Sequence, residues 1–402
     1  MSTRTLFLLA TAAWFLAFGM QSVVFAWLVT IILREPAELV GLAQTALLLP
    51  GMLFMLFAGV MADRLGSDRQ ALWAQSVAAL IPWLLISALQ LGWFSYEIML
   101  VFAVLMGSAQ AFVTPARDGL LNHVAGDQVQ RTVLLASLCQ FSFQIIGYSI
   151  AGFADLAGAQ VMLAIQSLVL LCGGIAFLRI RQQLPVRTDQ VAQSRVLQGL
   201  MQGAQTVWHS PVMRIVVLQN VAMACFFMGS FVVCFPLVIR EVFSGSSQDL
   251  AVLSAFNSAG LVLTILVMLK VGYVSRPGRA LIVSQILGAL ALMGSGLLAD
   301  FPLFVAAIFI WGICGGVAIP MSRTLMQEIA PVDQRARVMS FYAFSFMGAG
   351  PLGTLWGGYL AALLGAQSAI VVNGALMLVV AFIMALVTRL WQVEFSALHS
   401  PS

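Results

Sequence analysis

The fold of this chain is decided by the stretch Gly59-Val60-Met61-Ala62-Asp63-Arg64-Leu65-Gly66-Ser67-Asp68-Arg69, a charged turn between two long apolar runs. Residues 39–62 and residues 70–96, on either side of its charges, carry no formal charge. A helix rises about 1.5 Å per residue, so each run is long enough to cross a hydrocarbon core of about 30 Å. The turn is therefore predicted to be a tight loop at a membrane face.

The composition extends this prediction to the whole chain. Of the 402 residues, 61% are hydrophobic and 8% are charged, whereas a soluble domain averages about 25% charged residues. Lipid offers the backbone no hydrogen-bond partners, so each crossing must be a helix or part of a closed barrel. The uninterrupted apolar runs favour helices over the alternating pattern of barrel strands. The net charge of +4 does not indicate nucleic-acid binding, because the basic residues form no binding face.

Twelve apolar spans are predicted, and the first is expected to be a retained helix because it is longer than the apolar region of a signal peptide. All 19 lysines and arginines except Arg34 and Arg240 fall on one face of this arrangement. By the positive-inside rule that face is cytoplasmic, so both termini are predicted to be cytoplasmic. The predicted spans are residues 6–33, 38–62, 70–92, 96–116, 130–154, 159–180, 212–239, 249–271, 279–299, 302–322, 338–364 and 367–390.

The spans divide into two halves of six. We expect an N-terminal six-helix bundle in residues 1–180, a polar cytoplasmic connector with a short surface helix in residues 181–211, and a C-terminal bundle in residues 212–402. The halves repeat at an offset of about 206 residues, which is typical of two parallel bundles related by an axis along the membrane normal. Matched positions are Pro115 and Pro320, Arg131 and Arg337, Gly147 and Gly353, and Gly152 and Gly358.

These features together resemble the major facilitator superfamily, in which a Gly-x-x-x-Asp-Arg-x-Gly loop follows the second span. The motif Trp208-His209-Ser210-Pro211 and the turn Ser275-Arg276-Pro277-Gly278 are similar to the bacterial branch of enterobactin exporters and drug efflux permeases. The resemblance implies an all-α membrane fold of twelve helices in two pseudo-symmetric bundles. It also implies a substrate path between the halves, opened alternately to each side of the membrane.

The resemblance further implies that the charged turn is part of a cytoplasmic gate. Asp63 is expected to face the start of the helix near Arg337, where the positive end of the helix dipole favours a carboxylate. Arg64 or Arg69 is expected to pair with Asp118. The chain departs from the family pattern at Ser67 and Asp68, where basic residues usually follow. The expected gate residues are Gly59, Asp63, Arg64, Gly66, Arg69, Arg117 and Asp118.

Neutral side chains supply the polarity of the spans, because no Asp, Glu, Lys, Arg or His lies near the middle of any of them. Buried ionisable groups usually mark proton relays or charged-substrate sites, so their absence argues against a strongly charged substrate held by a direct ion pair. For each polar amide, an interhelical hydrogen bond is the alternative to substrate binding. The resemblance implies that spans one, four, seven and ten line the substrate path, so Gln21, Gln110 and Asn220 are the foremost candidates. The full set of expected substrate-binding residues is Gln21, Gln110, Gln140, Gln144, Gln219, Asn220 and Asn257.

The eleventh span carries a glycine-proline pattern that resembles the one antiporters of the superfamily carry on their fifth helix. Close helix packing with a kink is an equally good explanation, and the two roles are compatible. The residues of this pattern are Gly350, Pro351, Gly353, Gly357 and Gly358. The five cysteines lack metal-ligand spacing and are expected to be packing residues, with no metal and no cofactor.

We therefore expect a monomeric transporter of the bacterial inner membrane that exports a small amphipathic compound, such as a drug-like molecule or a siderophore. If protons drive it, Asp63, Asp118 or Asp155 must carry them, since no better group exists. An uncoupled facilitator or a lipid-moving protein is the first alternative, and a receptor or scaffold without transport is the second. An intramembrane enzyme is not expected, because the spans lack the histidine or basic residues that such an enzyme needs.

Overall fold

The computed structural model describes residues 2–125, 129–183, 196–271, 274–331 and 334–392, and all regular structure within these ranges is helical. The helices are α1 (Thr3–Trp27), α2 (Ala37–Leu65), α3 (Ser67–Leu91), α4 (Tyr96–Ala125), α5 (Val129–Ala151), α6 (Ala154–Ala157), α7 (Ala159–Gln183), α8 (Val196–His209), α9 (Pro211–Met223), α10 (Phe235–Glu241), α11 (Ser247–Val271), α12 (Pro277–Ser295), α13 (Phe301–Ile329), α14 (Arg335–Leu364) and α15 (Ala366–Val387). Stretches of π-helix, Leu28–Ile32, Ala224–Met228 and Ser230–Cys234, extend α1 and join α9 to α10.

Helical structure lies at each of the twelve predicted spans, which confirms the all-α membrane fold. By length and composition, ten stretches in the described residues can cross a membrane. The seventh span is a continuous helical stretch of 31 residues, Pro211–Glu241. In the connector, α8 lies where the short surface helix is predicted.

Local sequence signals account for where several helices begin and end. Ser2 caps α1, since its hydroxyl accepts a hydrogen bond from the Thr5 amide at 3.2 Å, and Asp300 caps α13 in the same way. Ser210 caps α9, with Pro211 at the first helical position. Helix α3 ends at Gly92, which adopts a left-handed conformation with φ of 72°.

The first compact unit contains residues Met1–Val196 and Ser244–Ser254. Its main helix pairs are α1 with α5, α2 with α4, and α3 with α7. A buried cluster where α1 begins and α4 and α7 end includes Phe7, Leu120 and Phe177. This packing brings α1, α4 and α7 together around the candidate site described below.

The second unit contains Leu197–Phe243 and Ala255–Ser402. In it α12 packs against α13 and α15, while α14 packs against the π-helical stretch Ala224–Met228. Connector helix α8 belongs to this unit and contacts the region where α14 begins, through a hydrogen bond from the Thr206 hydroxyl to the Gln334 side chain.

Candidate functional site

The charged turn closes tightly between α2 and α3 because Gly66 adopts a φ of 92°, a conformation that residues with a Cβ atom rarely adopt. A Cβ atom at Gly119 of α4 would overlap the Ser67 hydroxyl, so the glycine lets the turn lie directly on α4. Gln70 is buried and its amide donates to the carbonyl oxygens of Ala58, at 2.9 Å, and Phe112, at 3.0 Å. This glutamine, which was not predicted as a site residue, holds α2, α3 and α4 together at the turn.

The charges around the turn form two ion pairs in the described residues. Asp68 lies 3.9 Å from Arg181 at the end of α7, and Arg117 lies 3.6 Å from Asp118. Arg64 and Arg69 are exposed, and their pairing with Asp118 stays a prediction.

The predicted position of Asp63 also stays a prediction, because its side chain lies outside the described residues. The gate as a whole also stays a prediction. In the structure, the loop between α2 and α3 is supported by Gly66, Gly119 and Gln70.

We expect Gly66→Ala to slow transport and Gly294→Ala, in helix α12, to leave the rate nearly unchanged. An alanine at position 66 must adopt a positive φ, at a cost of about 1–3 kcal/mol, and its Cβ would lie 2.7 Å from the Asp68 carboxylate. A Cβ at Gly294 meets no atom within 4 Å, and this glycine lies outside the expected gate. Flux into proteoliposomes measures the difference, and equal rates for the two variants would contradict it.

A small, partly open cavity lies among α1, α4 and α7 of the first unit. Two predicted substrate-binding residues, Gln21 and Gln110, line it together. The remaining walls are apolar or aromatic. They are formed by Trp14, Ala17, Phe18, Met106 and Leu170.

The amide of Gln21 is held by a neighbour on α7. Gln166, itself buried, donates from Nε2 to the Gln21 Oε1 atom at 3.1 Å. Gln166 and the aromatic walls were not predicted from the sequence, although a signal was present. Trp14, Phe18 and Gln21 follow one another at spacings of four and three residues, which places them on one face of α1.

Two of the other predicted amides make interhelical hydrogen bonds. Asn220 donates to the carbonyl oxygen of Tyr342 at 3.1 Å and to the Ser345 hydroxyl at 3.0 Å, so it tethers α9 to α14. Asn257 donates weakly to the Ile308 carbonyl oxygen at 3.4 Å. These contacts match the interhelical alternative, and a substrate role for either residue stays a prediction.

The remaining predicted amides lie elsewhere in their bundles. Gln144 donates to the hydroxyl of Tyr148, one turn along α5, at 2.6 Å, while Gln140 is half-buried. Gln219 is buried, with its Nε2 atom 3.6 Å from the Met223 sulfur. The structure therefore brings only Gln21 and Gln110 of the predicted set into the described cavity.

The glycines of α14 allow it to pack closely against the seventh span. A Cβ at Gly353 would overlap the Ala224 carbonyl oxygen, and one at Gly357 would lie 3.0 Å from the Gly229 carbonyl oxygen. Gly350, Pro351 and Gly358 are buried in the same helix. Close packing thus accounts for Gly353 and Gly357, and the antiport role of the pattern stays a prediction.

Asp155 forms a second polar site in the first unit. Its carboxylate accepts hydrogen bonds from the Trp27 indole at 2.8 Å and from the Ser247 amide at 2.6 Å. Its own amide donates to the Ser247 hydroxyl at 3.1 Å, and that hydroxyl donates to the Gly152 carbonyl oxygen at 3.0 Å. Asp155 therefore caps α11 from a position 92 residues away in the chain.

The chain is similar to one protein family and to two individual proteins. The family described as "Transmembrane secretion effector" matches residues 3–401. The multidrug efflux pump Tap of Mycolicibacterium fortuitum is 27% identical over 396 residues, covering 94% of each chain. The MFS-type transporter YfiS of Bacillus subtilis (strain 168), whose name marks it as uncharacterized, is 27% identical over 301 residues, covering 67% of this chain and 66% of YfiS.

Solved structures agree on the fold. The nucleoside transporter NupG superposes with a TM-score of 0.73 at 13% identity, covering 96% of this chain and 98% of NupG. A bacterial homologue of the human lysosomal transporter Spinster gives a TM-score of 0.69 at 14% identity, covering 98% and 99%. At such low identity the likeness concerns the fold alone.

Proposed function

This chain belongs to the transmembrane secretion effector family of major facilitator transporters, and from that premise we propose that it exports a small amphipathic compound by alternating access, driven by the proton gradient. The chain is a multi-pass membrane protein. We place it in the bacterial inner membrane as a monomer. The distribution of its basic residues supports a cytoplasmic position for both termini.

The observation that carries the proposal is the cavity lined by Gln21 and Gln110. Two neutral amides can hydrogen-bond a polar group, while Trp14, Phe18 and Met106 offer an apolar and polarisable surface. Such a combination suits compounds with an apolar body and few polar groups. The similarity to a multidrug efflux pump supports the same substrate class.

Proton coupling requires a group that takes up and releases protons during transport. Of the three carboxylates that could carry protons, Asp118 is mostly exposed and Asp155 is held by two N–H donors. An uncoupled facilitator, the alternative, is favoured by the absence from the sequence of an ionisable residue near the middle of any predicted span.

Each of the two single variants Gln21→Leu and Gln110→Leu is expected to lower the flux of a bound amphipathic dye about threefold to tenfold. The reason is that each variant loses one hydrogen bond to the dye, worth about 0.5–1.5 kcal/mol. Proteoliposomes with a panel of amphipathic dyes and siderophores provide the measurement. Gln90→Leu, an exposed glutamine near the end of α3, is the matched control. Unchanged flux in both cavity variants would remove the cavity from the substrate path.

The same vesicles test the coupling. A coupled exporter accumulates dye only while a pH gradient is imposed, and it stops when an ionophore collapses the gradient. If the dye equilibrates at the same rate with and without the gradient, the protein is a facilitator.

A further inference from the structure

Arg117 lies on α4 with its guanidinium group largely removed from solvent. Only 12% of its side chain is exposed, and its Cζ atom lies 4.6 Å from the centre of the Phe15 ring on α1. A guanidinium group is permanently charged and carries five N–H donors. Burial of such a group is unfavourable unless acceptors or a counter-ion meet it.

The protein meets this requirement only in part. Asp118 lies 3.6 Å from Nη2, longer than a hydrogen bond, and its side chain is 66% exposed, so its carboxylate stays hydrated. The Nη1 atom is buried and has no hydrogen-bond partner among the residues that the structure describes. The Phe15 ring attracts the cation but accepts no conventional hydrogen bond. Arg117 therefore retains unused capacity to bind an anion.

A second buried polar atom without a described partner lies on α1. The hydroxyl of Thr11 on α1, one turn before Phe15, is also buried and has no partner within the described part of the chain. A hydroxyl can donate to an anionic oxygen as well as accept. Thr11 is thus one helical turn along α1 from Phe15, the residue whose ring Arg117 covers.

The position of Arg117 connects it with the candidate cavity. Gln110, Thr114 and Arg117 are spaced by four and three residues, so they share one face of α4. Arg117 lies about 10 Å along the axis from the cavity-lining Gln110. On α1, Phe15 contacts the cavity-lining Phe18 with ring centres 6.4 Å apart. One side of the α1–α4 pair therefore runs from the amide-lined cavity to the buried cation.

We propose that Arg117 is an anion-binding subsite that recognises the carboxylate of an amphipathic substrate whose apolar body lies in the cavity. This inference rests on the proposed function and names the substrate class of the same site. A planar guanidinium fork matches a carboxylate with two parallel hydrogen bonds. Trp14 and Phe18 suit an aromatic body, and the separation of about 10 Å suits a compound that is larger than a single ring.

This inference revises one expectation from the sequence. The lack of ionisable residues near the middle of the spans argues against an ion-paired substrate at that depth. Arg117 lies nearer the end of its span, Tyr96–Leu121, than the middle. A substrate can therefore place its apolar body among neutral residues and its charge at Arg117.

The test compares two probes that differ in charge and little in shape, 1-naphthylacetate and 1-naphthylacetamide. Binding of each to the full-length protein is measured in phosphatidylcholine vesicles and corrected with protein-free vesicles. The unchanged protein is expected to bind the carboxylate about tenfold or more tightly than the amide. Arg117→Gln is expected to abolish that preference while leaving amide affinity unchanged, and Arg117→Lys to keep part of it.

Arg279→Gln is the matched control, because Arg279 also lies against an aromatic ring, that of Trp391, at 5.5 Å. Its Nε atom already donates to the Trp391 carbonyl oxygen at 3.1 Å. This variant is expected to keep the full preference for the carboxylate. A preference lost equally in Arg117→Gln and Arg279→Gln would overturn the proposal.

The other outcomes distinguish a missing anion subsite from a lipid-binding site and from failure of the proposed exporter function. If the unchanged protein shows no preference for the carboxylate, the subsite does not exist, whether or not any variant folds. If phosphatidylglycerol in the vesicles displaces naphthylacetate only when Arg117 is present, the site holds a lipid headgroup and the solute proposal is wrong. If the amide binds and is exported but Arg117 has no effect on either probe, the anion subsite fails while the proposed exporter survives.

Discussion

Gly353→Val is expected to abolish recovery of folded protein, and Gly353→Ala to destabilise it by about 1–3 kcal/mol, the usual cost of overpacking. A Cβ atom there would overlap the Ala224 carbonyl oxygen and lie 2.7 Å from the Cys225 Cα atom. Both obstacles are backbone atoms, which cannot rotate away, so α14 would have to separate from the seventh span. Size-exclusion profiles and thermal unfolding in detergent measure the effect.

Gly315→Val provides the matched control in the same unit. A Cβ at Gly315 meets no atom within 4 Å, so this variant is expected to remain folded with little change in melting temperature. A similar loss of folded protein in both variants would mean that the valine side chain itself, and not the close approach of α14, is responsible.

Asp155→Asn is expected to loosen the first turn of α11. The carboxylate accepts one hydrogen bond from Trp27 and one from Ser247, and bonds to a charged acceptor each contribute about 1.5–3 kcal/mol. Asparagine keeps a single acceptor oxygen, and its amide would face an N–H donor. The negative charge that favours the helix N-terminus is also lost. Amide hydrogen exchange over residues 247–251 is expected to accelerate about tenfold or more.

Asp300→Asn is the control for this change, because Asp300 caps its own helix by accepting from the Leu303 amide at 3.1 Å. Asparagine is as good an N-cap as aspartate, so exchange at the start of α13 is expected to change little. Unaltered exchange at Ser247 in Asp155→Asn would show that the Ser247 and Gly152 hydrogen bonds alone hold this turn.

The sequence by itself determined the helical membrane fold and the positions of the spans. Span length and apolarity are local properties, and lipid leaves helices as the solution for long uninterrupted apolar runs. Helix ends also have local sequence signals, because Ser210 with Pro211 begins α9 and Gly92 ends α3 through local backbone chemistry. The sequence also indicated Gln21 and Gln110 as cavity residues, through the resemblance to a known family.

Only the tertiary structure decided which polar residues face the cavity and which face a neighbouring helix. Asn220 is similar in chemistry to Gln110, yet it tethers α9 to α14, while Gln110 lines the cavity. Likewise the contact of Arg117 with the Phe15 ring is tertiary, and the gate role of Arg117 stays a prediction. The physical reason is that lipid is as apolar as the interior of a helix bundle. Apolar residues therefore surround each helix, and periodicity does not separate its lipid-facing side from its buried side.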